Sequence, residues 1–254
     1  RQRQMCIRDS ATSVSTLDEL KAALTDGNVA VIDSGKTITI NDSDSLTVGA
    51  GKTLTVNGTL TVNGTLTVAG GEINGTGTIN GNSHHPVVFY AGKLTAVTVD
   101  ASSATGAVVV STTNTGDITI SNVVINVNAN SSTDHGIYVN GVKNKVVIDR
   151  VVFDFNNTNC CPINTDTNNE CDVSISNIVY NNCARENKVL VNATSEVDIG
   201  TDISFSNVTD VCLWASDETS NFTVNGATTI SGEFTLYNVC LLYTSPSPRD
   251  RSLS

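Results

Sequence analysis

Basic residues are scarce in this chain. Lysine and arginine number 14 against 25 aspartates and glutamates, so the formal net charge is −11. A surface that neutralises nucleic-acid phosphates needs the opposite balance, and so does one drawn to an anionic membrane. A nucleic-acid partner is therefore not expected. Membrane insertion is not expected either, because no stretch approaches the ~20 apolar residues of a spanning helix. Proline (4), tryptophan (1) and methionine (1) are nearly missing, and aromatics make up 5% of the chain. What fills the space is Thr, Ser, Asn, Gly and Val. The negative balance with such polarity would suit disorder, but β-branched residues alternate with polar ones throughout, which is the pattern of half-buried strands.

The strongest signal is a phrase that returns. It reads Ile118-Thr-Ile-Ser-Asn-Val-Val-Ile125, then Val146-Val-Ile-Asp-Arg-Val-Val-Phe153, then Val173-Ser-Ile-Ser-Asn-Ile-Val-Tyr180, with a shorter form at Ile203-Ser-Phe-Ser-Asn-Val208. A recurrence every ~27 to 30 residues is the signature of a solenoid. Each copy holds an alternating strand, a polar pair suited to a sharp bend, and a second apolar run. Stacking the copies places Asn122, Arg150, Asn177 and Asn207 in one column, an Asn ladder broken once by arginine. This pattern resembles the right-handed parallel β-helix of the pectin-lyase-like superfamily, in which an Asn ladder at the bend between two strands is common. The resemblance covers residues 100–239 and implies a fold rather than a substrate.

The two ends share nothing with this pattern. Read back into codons, Leu241-Leu-Tyr-Thr244 gives CTC TTA TAC ACA, followed by the T of a serine codon. The reverse complement contains ATG TGT ATA AGA, which encodes Met5-Cys-Ile-Arg8. Residues 1–10 and 240–254 thus resemble translated sequencing-adaptor DNA. They are expected to pack against nothing and to carry no regular ladder. On this reading 11–239 is an internal β-helix fragment that retains Cys160, Cys161, Cys171, Cys183 and Cys212.

Within it, residues 14–27 form the one convincing helix. Thr16-Leu-Asp-Glu19 fits a capping box, Leu17, Leu20, Ala23 and Leu24 lie at helical spacing, and Gly27 suits the C-terminal cap. Such a helix reads as a lid on the open edge of the first rung. Residues 29–81 hold short repeats, among them Leu54-Thr-Val56, Leu60-Thr-Val62 and Leu66-Thr-Val68, separated by Gly-containing turns such as Asn57-Gly58 and Asn63-Gly64. Steps of six to eight residues predict three short faces per rung. Two alternatives stay open: a left-handed β-helix built from hexads, and antiparallel hairpins closed by Asn-Gly. Residues 87–239 are expected to form longer rungs with loops.

Several constellations could carry chemistry. Asp134-His135-Gly136 and Asn164-Thr-Asp166 resemble the His-Gly and Asn-Thr-Asp motifs of polygalacturonases, which use paired carboxylates. Their order is reversed here, and the family's second Asp pair is absent. A pectate-lyase arrangement pairs Ca²⁺-binding carboxylates with a proton-abstracting arginine. Arg150 is the best candidate for that role, with Asp149 beside it, Asp154 four residues on, and Lys143 and Lys145 upstream. Asp117, Lys145, Asp172 and Asp202 share a column, in which Asp172 and Asp202 stand one rung apart. With Asp166 and Glu170 nearby, they offer the hard oxygen ligands of a possible Ca²⁺ site; no other cofactor is expected. His84 and His85 could begin a metal site, without a third ligand at recognisable spacing. Cys183 lies six residues after Asn177 and Cys212 five after Asn207, nearly over one another in adjacent rungs, so a disulfide between them is expected. Cys171 would pair with Cys160 or Cys161.

The fold expected is all-β, a right-handed single-stranded parallel β-helix with a short N-terminal capping helix. The function expected is that of a non-enzymatic extracellular or cell-surface protein resembling β-helical adhesins. Its loops would be presented to surface glycans or to host or cell-surface proteins. The alternative is a polysaccharide lyase or glycoside hydrolase of the pectin-lyase-like superfamily.

Overall fold

The computed structural model describes residues 11–82, 85–104, 106–110, 116–127, 135–139, 145–154, 161–166, 172–181, 189–194, 202–206, 212–215, 221–224 and 240–243. Among them the chain is a parallel β-helix with one short helix. Every strand pair among them is parallel, which removes the hairpin reading. Asn57-Gly58 and Asn63-Gly64 turn the chain from one face to the next instead of doubling it back.

Each rung has three faces. Thr53–Val56 lies on the first, Thr59–Val62 on the second, and Thr65–Asn74 begins the third, then bends through a corner to rejoin the first. Because Thr65–Asn74 and Val87–Thr95 both run through that corner, the first and third faces form one 17-stranded sheet. The second face is a separate 7-stranded sheet. Thr53, Glu72, Lys93, Thr119, Val147, Ser174 and Ser204 are successive Cα partners on the first face. Rungs are therefore short at first and lengthen after Lys93. On the third face Val87 is the Cα partner of Val108, a short step, and Val108 of Ile137, a long one.

Alternation decides what is buried. Ala30, Leu54, Ile73, Leu94, Ile120, Ile148 and Ile175 stack inside the first face, each at most 1% exposed. Ile38, Leu60, Ile79, Val99, Ile125 and Phe153 stack inside the second, each at most 2% exposed. Burying one such side chain contributes roughly 1.5–3 kcal/mol, and every rung adds several. Outward positions on the second face run Thr37, Thr59, Thr78 and Thr98, then Val124, Val152 and Val179.

Corner glycines answer to close approach. A Cβ on Gly58 would lie 2.3 Å from the Lys36 carbonyl oxygen. At Gly75 the backbone is also left-handed, with φ +124°, and a Cβ would lie 2.1 Å from the Val56 oxygen.

The helix spans Leu17–Asp26, inside the expected 14–27. Thr16 Oγ1 accepts from Glu19 N at 3.2 Å, while the Glu19 carboxylate accepts from Ser15 N at 2.8 Å, one residue beyond the usual capping-box donor. Gly27 caps the far end in an extended conformation, its N–H donating to Ala23 O at 2.9 Å. Leu20, Ala23 and Leu24 are buried against the first rung, so the helix does form the lid. Ahead of it the strand Thr12–Val14, which the repeats do not announce, pairs with Val29–Ile32. At the other end, Cys240–Tyr243 pairs in register with Asn221–Val224. That ladder departs from the expectation for 240–254. A solenoid edge accepts any β-competent run, and Leu241-Leu-Tyr243 is one.

Candidate functional site

The residues singled out around Arg150 sit at the corner between the first and second faces. A single left-handed residue makes this corner in rung after rung: Ala96 at φ 61°, Asn122 at 55°, Arg150 at 50° and Asn177 at 54°. Asparagine tolerates that conformation better than most residues; alanine and arginine hold it only because their surroundings over-determine it. Backbone bonds do so here. Ala96 N donates to Ser121 O at 3.2 Å, Asn122 N to Asp149 O at 3.0 Å and Arg150 N to Ser176 O at 3.1 Å. The next residue of each corner, Val97, Val123, Val151 or Ile178, is buried as an anchor. The Asn ladder is therefore present as expected for Asn122, Arg150 and Asn177, and it begins one rung earlier, at Ala96. Asn207 lies outside the described residues.

Side chains tie three of these rungs together. Arg150 Nε donates to Asn122 Oδ1 at 2.8 Å, and its Nη2 lies 2.9 Å from Asp149 Oδ2. Asp149 Oδ1 in turn accepts from Ser176 Oγ at 2.6 Å and from Asn177 Nδ2 at 2.8 Å. The Asp149 side chain is 16% exposed and that of Arg150 is 60% exposed. Burial pushes the Asp149 carboxyl up, but the Ser176 and Asn177 donors and the Arg150 cation outweigh it. The group is held below the usual carboxylate range.

Asp154 belongs to the neighbouring face. It ends Val152–Asp154 on the second sheet, beyond the corner, whereas Asp149 ends Val146–Asp149 on the first. Lys143 lies outside the described residues. Lys145 stands at the far end of its strand from Arg150, its backbone N–H donating to Asp117 Oδ1 at 3.2 Å.

The Asp117, Lys145, Asp172 and Asp202 column is in register, and Asp172 and Asp202 are Cα partners. Asp166 ends Cys161–Asp166, where its Cα partner is Thr194. Glu170 lies outside the described residues, so the ligand set proposed for Ca²⁺ is only partly within view. Among the described residues no group of three or more His, Cys, Asp or Glu is placed to hold a metal. Nor is any helix among them long and apolar enough to cross a membrane. Of the cysteines, Cys212 is the Cα partner of Val189 and Cys161 of His135. Cys160, Cys171 and Cys183 lie outside the described residues.

The polygalacturonase-like fragments do not converge. His135 aligns with Cys161, and Tyr138 with Asn164. Asn164 is thus displaced about 10 Å along the strand from His135, at ~3.3 Å per residue, and Asp166 lies farther still.

Two features escaped the sequence. Lys52 belongs to the glycine-lined corner of Gly51, Gly70, Gly71 and Gly92, and its Nζ donates to Gly27 O at 2.6 Å, a cation at the helix C-terminus. His135 also has a histidine neighbour, His85. Burial and the His85 charge, in that order, lower its pKa to about 4. No spacing rule links residues 85 and 135; only the register does. Comparison of the chain with family models, with curated proteins and with solved structures finds no match.

Proposed function

We propose that this chain is part of a non-enzymatic, adhesin-like protein of an extracellular or cell-surface setting. It is a pectin-lyase-like rod that presents loops to surface glycans or to proteins of another surface. One observation carries the reading: the best catalytic candidate is committed to architecture. Arg150 spends its Nε on Asn122 and its Nη2 on Asp149, and Asp149 spends its remaining acceptor on Ser176 and Asn177. A proton-abstracting arginine needs its guanidinium aimed at substrate and flanked by substrate-binding charge. This one stands where other rungs place a ladder asparagine.

Two further observations support display. The outward lane of the second face carries hydroxyls and then methyls, with Val124 37% and Val179 46% exposed. Rungs also lengthen after Lys93, which gives each later turn of the rod more residues to present.

The test is direct. The recombinant chain, incubated with pectate or polygalacturonate with and without Ca²⁺, should release no unsaturated product and no new reducing ends. It should show saturable retention on a glycan array or on cell-surface extracts. Product formation that disappears in Arg150→Ala would overturn the proposal in favour of a polysaccharide lyase.

A further inference from the structure

The capped end of the rod holds a groove between its first strand and its helix. Thr12–Val14 lies outside the first rung and, among the described residues, pairs only with Val29–Ile32. Its other edge leaves backbone N–H and C=O groups with no strand beside them, a template for one more. The helix Leu17–Asp26 connects these two parallel strands, so it runs back along the strand it follows. Glu19, Ala22, Ala23 and Asp26 stand at i, i+3, i+4 and i+7 and share one stripe of it. That stripe, with Thr12, Ser13 and Val14, lines a groove of about 430 Å³. Small or apolar side chains, Val14, Ala22 and Ala23, make its middle, and Glu19 and Asp26 put a carboxylate toward each end. Ser13 Oγ donates to Asp33, which sets a third acid beside the strand. No lysine or arginine lines the groove. Lys21, of the same helix, turns to Asp44 at 3.0 Å, and Lys52 Nζ donates to Gly27 O.

We propose that this groove docks an extended basic segment of a partner protein, which adds as a strand to the free edge of Thr12–Val14 and lays its side chains on the helix stripe. The lengths agree. From Glu19 to Asp26 the helix advances ~10 Å at ~1.5 Å per residue, and an extended chain covers that in three or four residues. Alternate side chains of a strand point the same way. A Lys-x-Val-x-Lys pattern therefore sets its valine on Ala22 and Ala23 and turns a lysine toward each of Glu19 and Asp26. The two alanines let the added backbone come close. Main-chain bonds to the edge supply affinity, and the flanking carboxylates select a basic sequence. A second copy of this chain fits worse, because it brings the same acidic excess of −11. The groove lies at the capped end rather than on the loops, so the proposal is independent of the surface-display reading.

The experiment titrates the full chain, labelled with ¹⁵N, with the synthetic peptide acetyl-Thr-Lys-Thr-Val-Thr-Lys-Thr-amide. Binding should be saturable and should shift the amides of Thr12, Ser13, Val14, Ala22 and Ala23 most. It should weaken at least threefold as ionic strength rises from ~0.01 to ~0.15 M. Exchanging both peptide lysines for glutamate, or N-methylating the peptide backbone, should abolish saturation. Ala22→Lys, at an exposed helical position, fills the groove with a like charge and should weaken binding at least tenfold. Glu19→Gln combined with Asp26→Asn should weaken it at least fivefold. If a variant fails to fold, the glutamate and N-methyl peptides decide alone on the parent chain. An absence of saturable binding to the parent chain, equal binding of the glutamate peptide, or affinity unchanged in a folded Ala22→Lys would overturn the proposal. A dimer of the parent chain that Ala22→Lys dissolves, seen by sedimentation, would overturn it too, since the occupant would then be a second copy.

Discussion

Removing the Asp149 carboxylate tests whether the corner network is structural. Asp149→Ala deletes the acceptor of Ser176 Oγ and Asn177 Nδ2 and the partner of Arg150. Hydrogen bonds to a charged group contribute about 1.5–3 kcal/mol each, but Ser176 and Asn177 are only half-buried, so water restores part of the loss. The ion pair adds little, roughly 0.5 kcal/mol or less, because most of the Arg150 side chain is in water. A cost of about 2–3 kcal/mol follows for alanine. Asparagine keeps one acceptor oxygen for Ser176 and Asn177 but loses the charge and sets an N–H donor against Arg150 Nη2, so Asp149→Asn should cost about 1 kcal/mol.

The pH dependence has a definite sign. The folded pKa lies below the ordinary value of 3.8. The carboxylate therefore contributes stability that is fully present above that value and is lost as pH falls through the folded one. Urea unfolding followed by far-ultraviolet circular dichroism, at neutral pH and again near pH 3, reads both effects. The gap between parent and Asp149→Asn should narrow in acid. The reasoning is refuted if Asp149→Ala unfolds within 0.5 kcal/mol of the parent at an unchanged denaturant slope, a threshold small beside one charged hydrogen bond. Equal damage from asparagine and alanine would refute it too, since acceptor geometry would then not matter.

Other perturbations probe the remaining determinants. Phe153→Ala empties a fully buried position and should cost about 3–5 kcal/mol, seen as an earlier urea midpoint. Gly75→Ala must move the Val56 carbonyl and should cost at least ~2 kcal/mol. Gly35→Ala, also left-handed but with no atom within 4 Å, should cost only the ~1 kcal/mol of backbone strain; parallel melts of the two separate clash from conformation. Arg150→Asn restores the corner residue used on either side and should leave stability within about 0.5 kcal/mol, whereas Arg150→Val, β-branched in a left-handed position, should lose about 2 kcal/mol.

Much of the fold was legible because a solenoid repeats its physics. The period of the Ile118, Val146 and Val173 phrases translates directly into strand register, since stacked copies are Cα partners. Alternation named the core, because every Leu-Thr-Val repeat sends its apolar pair inward. Elements lacking a periodic partner were harder to see. Thr12–Val14 is a three-residue strand whose only reason to be extended is the edge of Val29–Ile32. Ala96 takes the left-handed corner with no residue-type signal at all, because its neighbours at Asn122 and Gly75 define the column it completes.

The candidate site follows the same division. Asp149 and Arg150 are adjacent in the chain, so their pairing could be read from sequence; their role could not. It is set by Asn122 one rung before and by Ser176 and Asn177 one rung after, and those partners become neighbours only once the ladder closes. The arginine that interrupts the Asn ladder supplies an N–H donor to Asn122 from the corner position. It also turns a second donor onto the aspartate of its own rung, fixing the carboxylate that receives the next rung. An Asn-to-Arg exchange at a repeating corner thus preserves the donor between rungs while adding a charge. Such an exchange resembles a catalytic insertion when seen in one dimension. Only the partners of its nitrogens, each one rung or one residue away, distinguish a structural arginine from a reactive one.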